Sequence, residues 1–352
     1  MEKEIHHINK VEFAKLVLIT LGIVALAFLL FMLIWSAVEM LLLIFAGVLF
    51  AIFIRGVSAF LFGRLPLPEK IGILITLLLM LALSIAFFIL LVPQLAEQGE
   101  KLMDQLPEAF EQLRGKIGSF DWFRDLFQSA GDSETTQKIT SQAVGLFATT
   151  FGAITSAFII LFVGLYLSFS PRYHVDGLLH LIPERSRNRA DQVFQALDYT
   201  LGRWLIGRFI EMLMISVVSY LGLLLLDIPL ALMLATLAGI LTFIPNIGPV
   251  ISAIPAILLA FTQSPMTALY VFLLYVVIQT IESYLITPLI QQRAVSLPPV
   301  LTLSSQVVLG STLGLLGLIL ATPLTAAALV LVKLIYVENV LGDDAEVEGI
   351  SS

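Results

Sequence analysis

Hydrophobic positions in this chain come in long runs, not in alternation. Residues Leu16–Ile34, Met40–Ile54, Ile71–Val92, Leu146–Phe169 and Met212–Leu226 carry no charged side chain. Blocks of this length read as membrane spans. Lipid offers no partner to backbone N–H and C=O groups, so spanning segments must be helices or a closed barrel. The period of two expected of barrel strands is absent, which leaves helices. The pattern therefore predicts an all-α polytopic membrane protein with about seven to eight transmembrane or re-entrant helices and one amphipathic extramembrane segment.

The connections refine this picture. A tight turn near Ser36–Glu39 is expected between the first two spans, with Trp35 as an interfacial aromatic. No small-residue cleavage site follows the first apolar run, so it reads as a retained span. Between residues 94 and 141 lie nine acidic and five basic residues. There Leu102, Leu106, Phe110, Leu113 and Ile117 recur at intervals of three and four, the spacing of an amphipathic helix that Pro107 should start or bend. A second polar stretch, 172–211, holds six Arg and five acids, and Phe194, Leu197, Leu201 and Leu205 repeat at helical spacing within it. That helix lies either on the membrane surface or against protein. Basic residues gather in 1–15, 55–70 and 172–211, which by the positive-inside rule places those stretches and the N-terminus in the cytoplasm.

Five regions result. These are a three-helix segment (1–93), an acidic extracytoplasmic segment (94–141), a fourth span with a basic amphipathic helix (142–211), a core of broken helices (212–335) and an acidic tail (336–352).

The broken core stands apart. No charge occurs between residues 228 and 281, yet Pro245, Pro249, Pro255 and Pro265 interrupt the run. The pieces Pro229–Ile244 and Val250–Phe261 would be only about 24 and 18 Å long, against a hydrocarbon core of roughly 30 Å. They suggest a re-entrant hairpin or one interrupted pass. A span over Ala268–Thr280 follows. The last charge-free block, Ala294–Val332, is broken in turn by Pro298, Pro299, Gly310, Gly314, Gly317 and Pro323.

Composition supports the membrane reading. The 352 residues are 59% hydrophobic and 13% charged, and mean hydropathy is +0.99; soluble domains are roughly 45–50% apolar and about 25% charged. The absence of cysteine excludes disulfides and thiolate chemistry. A net charge of −7 without a basic stripe gives no reason to expect nucleic acid. His6, His7, His174 and His180 have no partners at metal-ligand spacing, and no phosphate loop, nucleophile elbow or dinucleotide fingerprint occurs. No enzyme activity, cofactor or metal is expected.

Candidate chemistry sits in the broken core. A helix break at membrane depth persists only where protein, water or a solute satisfies the freed backbone. Pro245, Asn246, Gly248 and Pro249 are therefore candidate path residues; the alternative is a structural kink or a hairpin turn at the membrane surface. Gln279 and Glu282 are polar groups at a span end. Glu282 could bind a proton or cation, pair with Arg293, or cap a helix. Ser304, Ser305 and Gln306 add hydroxyls and an amide, while Gly310, Gly314 and Gly317 allow close helix packing.

Taken in order, Leu181-Ile182-Pro183, Gly202 with Gly207, Asp227-Ile228-Pro229, Ile244-Pro245-Asn246-Ile247-Gly248-Pro249, Ile254-Pro255, Gln279 with Glu282, Thr287-Pro288, Val295-Ser296-Leu297-Pro298-Pro299, the three glycines and Ala321-Thr322-Pro323 resemble the autoinducer-2 exporter family of permease-like membrane proteins. The likeness covers residues 140–335 by motif and the N-terminal third in layout. It implies a bacterial inner-membrane homo-oligomer of seven or eight helical segments. Members are associated with export of the signal autoinducer-2, others with exchange of sodium or lithium for protons. One departure is Arg208, where the family commonly has Gln.

The expected function is a secondary permease that exports a small polar solute of the autoinducer-2 kind past Asn246, Gln279, Ser304, Ser305 and Gln306. Two alternatives are a cation/proton antiporter using Glu282 as its coupling carboxylate and a non-transporting membrane scaffold. The expected partners are the bilayer, a small polar solute or monovalent cation, and further copies of the chain.

Overall fold

The computed structural model describes residues 10–117, 150–286 and 297–343, and these are almost wholly helical. In chain order they form α1 (Lys10–Phe62), α2 (Glu69–Leu90), α3 (Val92–Ile117), α4 (Thr150–Phe169), α5 (Pro171–His180), α6 (Glu184–Leu225), α7 (Ala231–Thr242), α8 (Ile247–Gln263), α9 (Pro265–Ile281) and α10 (Pro299–Leu331). Two π-helical segments, Glu282–Ile286 and Val332–Leu341, extend α9 and α10. No strand occurs among the described residues. Five of these helical stretches are long and apolar enough to cross a membrane, six if the bent pair α4–α5 counts as one span.

The expected turn at Ser36–Glu39 is not there. Helix α1 runs through it for 53 residues, roughly 80 Å. Trp35–Met40 contains neither Pro nor Gly, so two polar side chains do not stop a helix that its flanks favour. No reversal therefore occurs at Ser36–Glu39. The outer part, Leu18–Leu30, is exposed throughout, while Leu42, Leu49 and Ile52 pack on α6 and α10 through Leu201, Trp204, Leu205, Leu320 and Ala326. Close contact with α4 depends on paired glycines. A Cβ on Gly47 would lie 2.7 Å from Val163, and one on Gly164 2.5 Å from Phe50.

The amphipathic segment begins earlier than expected, at Val92, and Pro107, expected to start or bend the helix, lies inside α3 and so does not start it. Leu102 is buried and Leu106 packs beside it, against α7 and α8. The side chains of Phe110, Leu113 and Ile117 lie outside the described residues, as do residues 118–149. Gln98 Oε1 accepts the Met233 N–H in the first turn of α7 at 3.1 Å, which satisfies one donor that the helix leaves open.

After α4 the chain bends by 89° at Ser170–Pro171 into α5. Helix α6 then carries the basic stretch and the fifth span as one piece of 42 residues, across the boundary expected at 211–212. Of the two readings for its first half, protein packing holds. Val193 and Ala196 are buried against Val330 and Leu334. Ion pairs tie this half to its neighbours: Arg55 to Asp198 at 3.3 Å, Arg172 to Asp191 at 2.6 Å and Arg189 to Glu338 at 2.6 Å. The stretches 55–70 and 172–211 therefore meet at one polar end of the molecule.

The broken core forms two helical hairpins. In the first, α7 and α8 are joined at residues 243–246, and Gln263 at the end of α8 donates to Asp227 O, ahead of α7, at 3.0 Å. In the second, α10 is interrupted at Gly314, whose φ of 64° and ψ of −148° only glycine adopts readily. The chain reverses there: a Cβ on Gly317 would fall 2.2 Å from Leu309 O, and Gln306 Nε2 lies 3.5 Å from Thr322 Oγ1. In a straight helix those last two residues would stand about 24 Å apart. Pro299–Leu341 passes as a span by length, but it is two limbs.

Candidate functional site

The tip of the first hairpin is braced by neighbouring helices on one side, with Asn246 exposed on the other. Ile247 N–H donates to Pro245 O at 2.7 Å across Asn246, whose φ of 65° and ψ of −43° make a γ-turn with positive φ, a strained conformation. Gln306 from α10 donates to the same Pro245 oxygen at 3.1 Å. Phe243 packs edge-on to Trp204 of α6, ring centroids 5.8 Å apart. A Cβ on Gly248 would lie 1.8 Å from Leu241 O, so only glycine lets α8 start against the end of α7. Two limbs and a buried amide thus satisfy the break.

Beside that tip lies a cavity of about 310 Å³ between α6, α7, α8 and α9. Its walls are mostly aliphatic, including Ile215, Ile257, Val276 and Ile278, with the ring of Phe272. The polar lining comes from Ser219, Ser252, Tyr275, Gln279 and Glu282. Tyr275, Gln279 and Glu282 stand at intervals of four and three on α9 and its extension, hence on one face. Ser219 is on α6.

Glu282 is 6% exposed and stands at the C-terminal end of α9, where the π-helical extension begins. Its Oε1 stands 3.9 Å from Arg208, which is hydrogen-bonded to Glu211 one turn along α6. Arg208 and Glu211 are 4% and 1% exposed. Three ionisable side chains are thus buried together where α6 meets the end of α9. Arg293, a candidate partner of Glu282, lies outside the described residues. Of seven buried side-chain atoms without a hydrogen-bond partner among the described residues, four, Glu282 Oε2, Ser219 Oγ, Tyr275 Oη and Arg208 Nε, lie here; Gln306 Oε1 is at the hairpin tip, and Arg55 Nε and Arg189 Nε are at the polar end. Buried polar atoms are nearly always paired, so this concentration in one seam is unusual.

A family model described as AI-2E family transporter matches residues 23–336. The chain belongs to that family. Within it, relatives named as transport proteins include YueF of Bacillus subtilis, 25% identical over 79% of this chain and 81% of its own, and YhhT of Escherichia coli K12, 25% identical over 83% of each. PerM of Escherichia coli K12, named as a permease, is 25% identical over 50% of this chain and 51% of its own. As an AI-2E family member the protein is a multi-pass membrane transporter, and the structure shows how its expected residues are distributed.

Pro249, Gln279 and Glu282 meet at the cavity, and Gly248 seats the wall behind them. Pro245 and Gln306 meet at the tip. Asn246 is exposed at the turn, Ser304 is exposed, and Ser305 bonds back to Thr302 O at 2.8 Å; none of the three lines this cavity. Gly310 packs against Leu318 across the second hairpin, Gly317 against Leu309, and Gly314 forms the bend itself. The glycines do allow close helix approach, but between two limbs of one element. Missing from the sequence reading were Glu211, Ser219 and Tyr275. One local signal existed: Arg208 and Glu211, three apart, are the last charges before an apolar run.

Proposed function

We propose that this transporter exports a small polar solute through the cavity between α6, α8 and α9, and that a hydroxyl-rich signal of the autoinducer-2 kind is a member of its substrate class. The observation that carries this reading is the cavity beside the hairpin tip, bounded by Pro249–Ile257 and faced by Gln279 and Glu282. Its volume is at the small end of ligand sites, about 300–1,000 Å³. Amide, hydroxyl and carboxylate groups there suit a solute that both donates and accepts hydrogen bonds. The basic end formed by 55–70 and 172–211 faces the cytoplasm on this reading, in the inner membrane of a bacterium. The exposed apolar faces of α1 and α2 meet lipid and further copies of the chain.

A second reading is exchange of a monovalent cation for a proton. It is favoured by Glu211, which gives Glu282 an acidic companion about the same arginine. Flux in reconstituted vesicles, with and without sodium and pH gradients, separates the two. Glu282→Gln should abolish cation exchange yet leave neutral-solute export within about tenfold of wild type, the cost of roughly one hydrogen bond. If neither solutes nor cations cross in vesicles holding folded protein, transport through this cavity is wrong and a scaffold role takes its place.

A further inference from the structure

The polar atoms of the cavity narrow the chemistry of what can sit in it. Glu282 is more than nine-tenths buried and lines the cavity, and its Oε2 has no donor. Arg208 does not pin it: the 3.9 Å separation exceeds hydrogen-bond range, and that guanidinium is bonded to Glu211. A ligand that satisfies this oxygen must bring an N–H or O–H donor or a positive charge. The two hydroxyls without partners, Ser219 and Tyr275, can accept as well as donate.

The walls then discriminate among candidates. A bare alkali ion wants a shell of oxygens, whereas most of this lining is Ile215, Ala238, Ala253, Ile257, Val276 and Ile278. A hydroxyl-rich solute can pair with Ser219, Ser252, Tyr275 and Gln279 but brings no counter-charge to the Glu282 carboxylate. An ammonium group on a compact hydrocarbon body matches both halves. Its N–H groups and charge meet Glu282, and its body meets the aliphatic wall, which the aromatic side chains of Phe272 and Tyr275 extend.

We propose that the α6–α8–α9 cavity binds small organic ammonium ions, with Glu282 as the charge-recognising residue. This rests on reading the cavity as a solute site, and extends that reading to a cationic ligand class. Cyclohexylammonium and cyclohexanol are close in size and shape and differ in charge, so their comparison isolates the carboxylate's contribution. The full chain in detergent is titrated with each by calorimetry. Cyclohexylammonium should bind at least about tenfold tighter than cyclohexanol, the scale of one charge-assisted hydrogen bond. Glu282→Gln should erase that preference, and Glu282→Asp should keep it in part; Ser304→Ala, remote from the cavity, should leave it unchanged. Equal affinity for the two probes, or no binding of either, overturns the proposal on the wild-type protein alone, whether or not Glu282→Gln folds. Ammonium binding without any flux in vesicles would instead sink the transport reading and leave this site standing. Neutral-solute flux with no ammonium preference would do the reverse.

Discussion

At the scale of single residues, the chemistry gathers where α6 meets the end of α9. Arg208 is buried between the carboxylates of Glu211 and Glu282 and is bonded to the first. Removing one member of a buried ion cluster leaves charge uncompensated, at about 3–5 kcal/mol. Arg208→Ala should therefore lower thermal stability by that order, and Arg208→Ala with Glu211→Ala should recover part of the loss. Equal stability of wild type and Arg208→Ala would show that the cluster does not hold the fold. Gln279 and Glu282 were legible in the sequence, since a polar side chain in an apolar run is conspicuous. The pairing of Arg208 with Glu211 was not, because both sit in a basic, half-polar helix that reads as lying on the membrane surface or against protein. Glu211 and Glu282 are 71 positions apart in the chain, and no local pattern announces such a meeting.

At the scale of elements, the two breaks behave as hairpins and not as kinks. Their signals differed in quality. Pro245, Gly248 and Pro249 form a dense cluster, and pieces too short to span were read from it; the structure has α7 and α8 at 12 and 17 residues. Gly310, Gly314 and Gly317 read as packing glycines because a single glycine is tolerated inside a helix, yet Gly314 reverses the chain. Gly314→Ala should cost about 1–3 kcal/mol, since its dihedrals are nearly closed to other residues. Gly310→Ala, whose Cβ would meet Leu318 at an ordinary 3.4 Å, should cost less. Comparing thermal unfolding midpoints of the two variants checks the ranking. The continuous α1 shows the opposite error: polar Ser36 and Glu39 suggested a turn where helix propensity and the absence of Pro and Gly kept the helix going.

At the scale of the whole molecule, hydrophobic runs foretold a helical membrane protein, and the motif series pointed to the AI-2E family that the family model matches. What they could not supply is which broken pieces border a common space. That depends on α3 bracing α7, on Gln306 reaching the first hairpin from the second, and on α6 running unbroken past both. Together these place a cavity of about 310 Å³ between the first hairpin and two spans, in the seam where buried polar atoms lack partners. Filling the cavity is the most direct test. Ala253 lines it from α8, and Ala253→Phe adds bulk there at about 1–3 kcal/mol of overpacking. In vesicles, folded Ala253→Phe protein should lose at least about nine-tenths of solute flux, an increase of 1.4 kcal/mol or more in the barrier. Wild-type flux from that variant would mean that the solute crosses elsewhere.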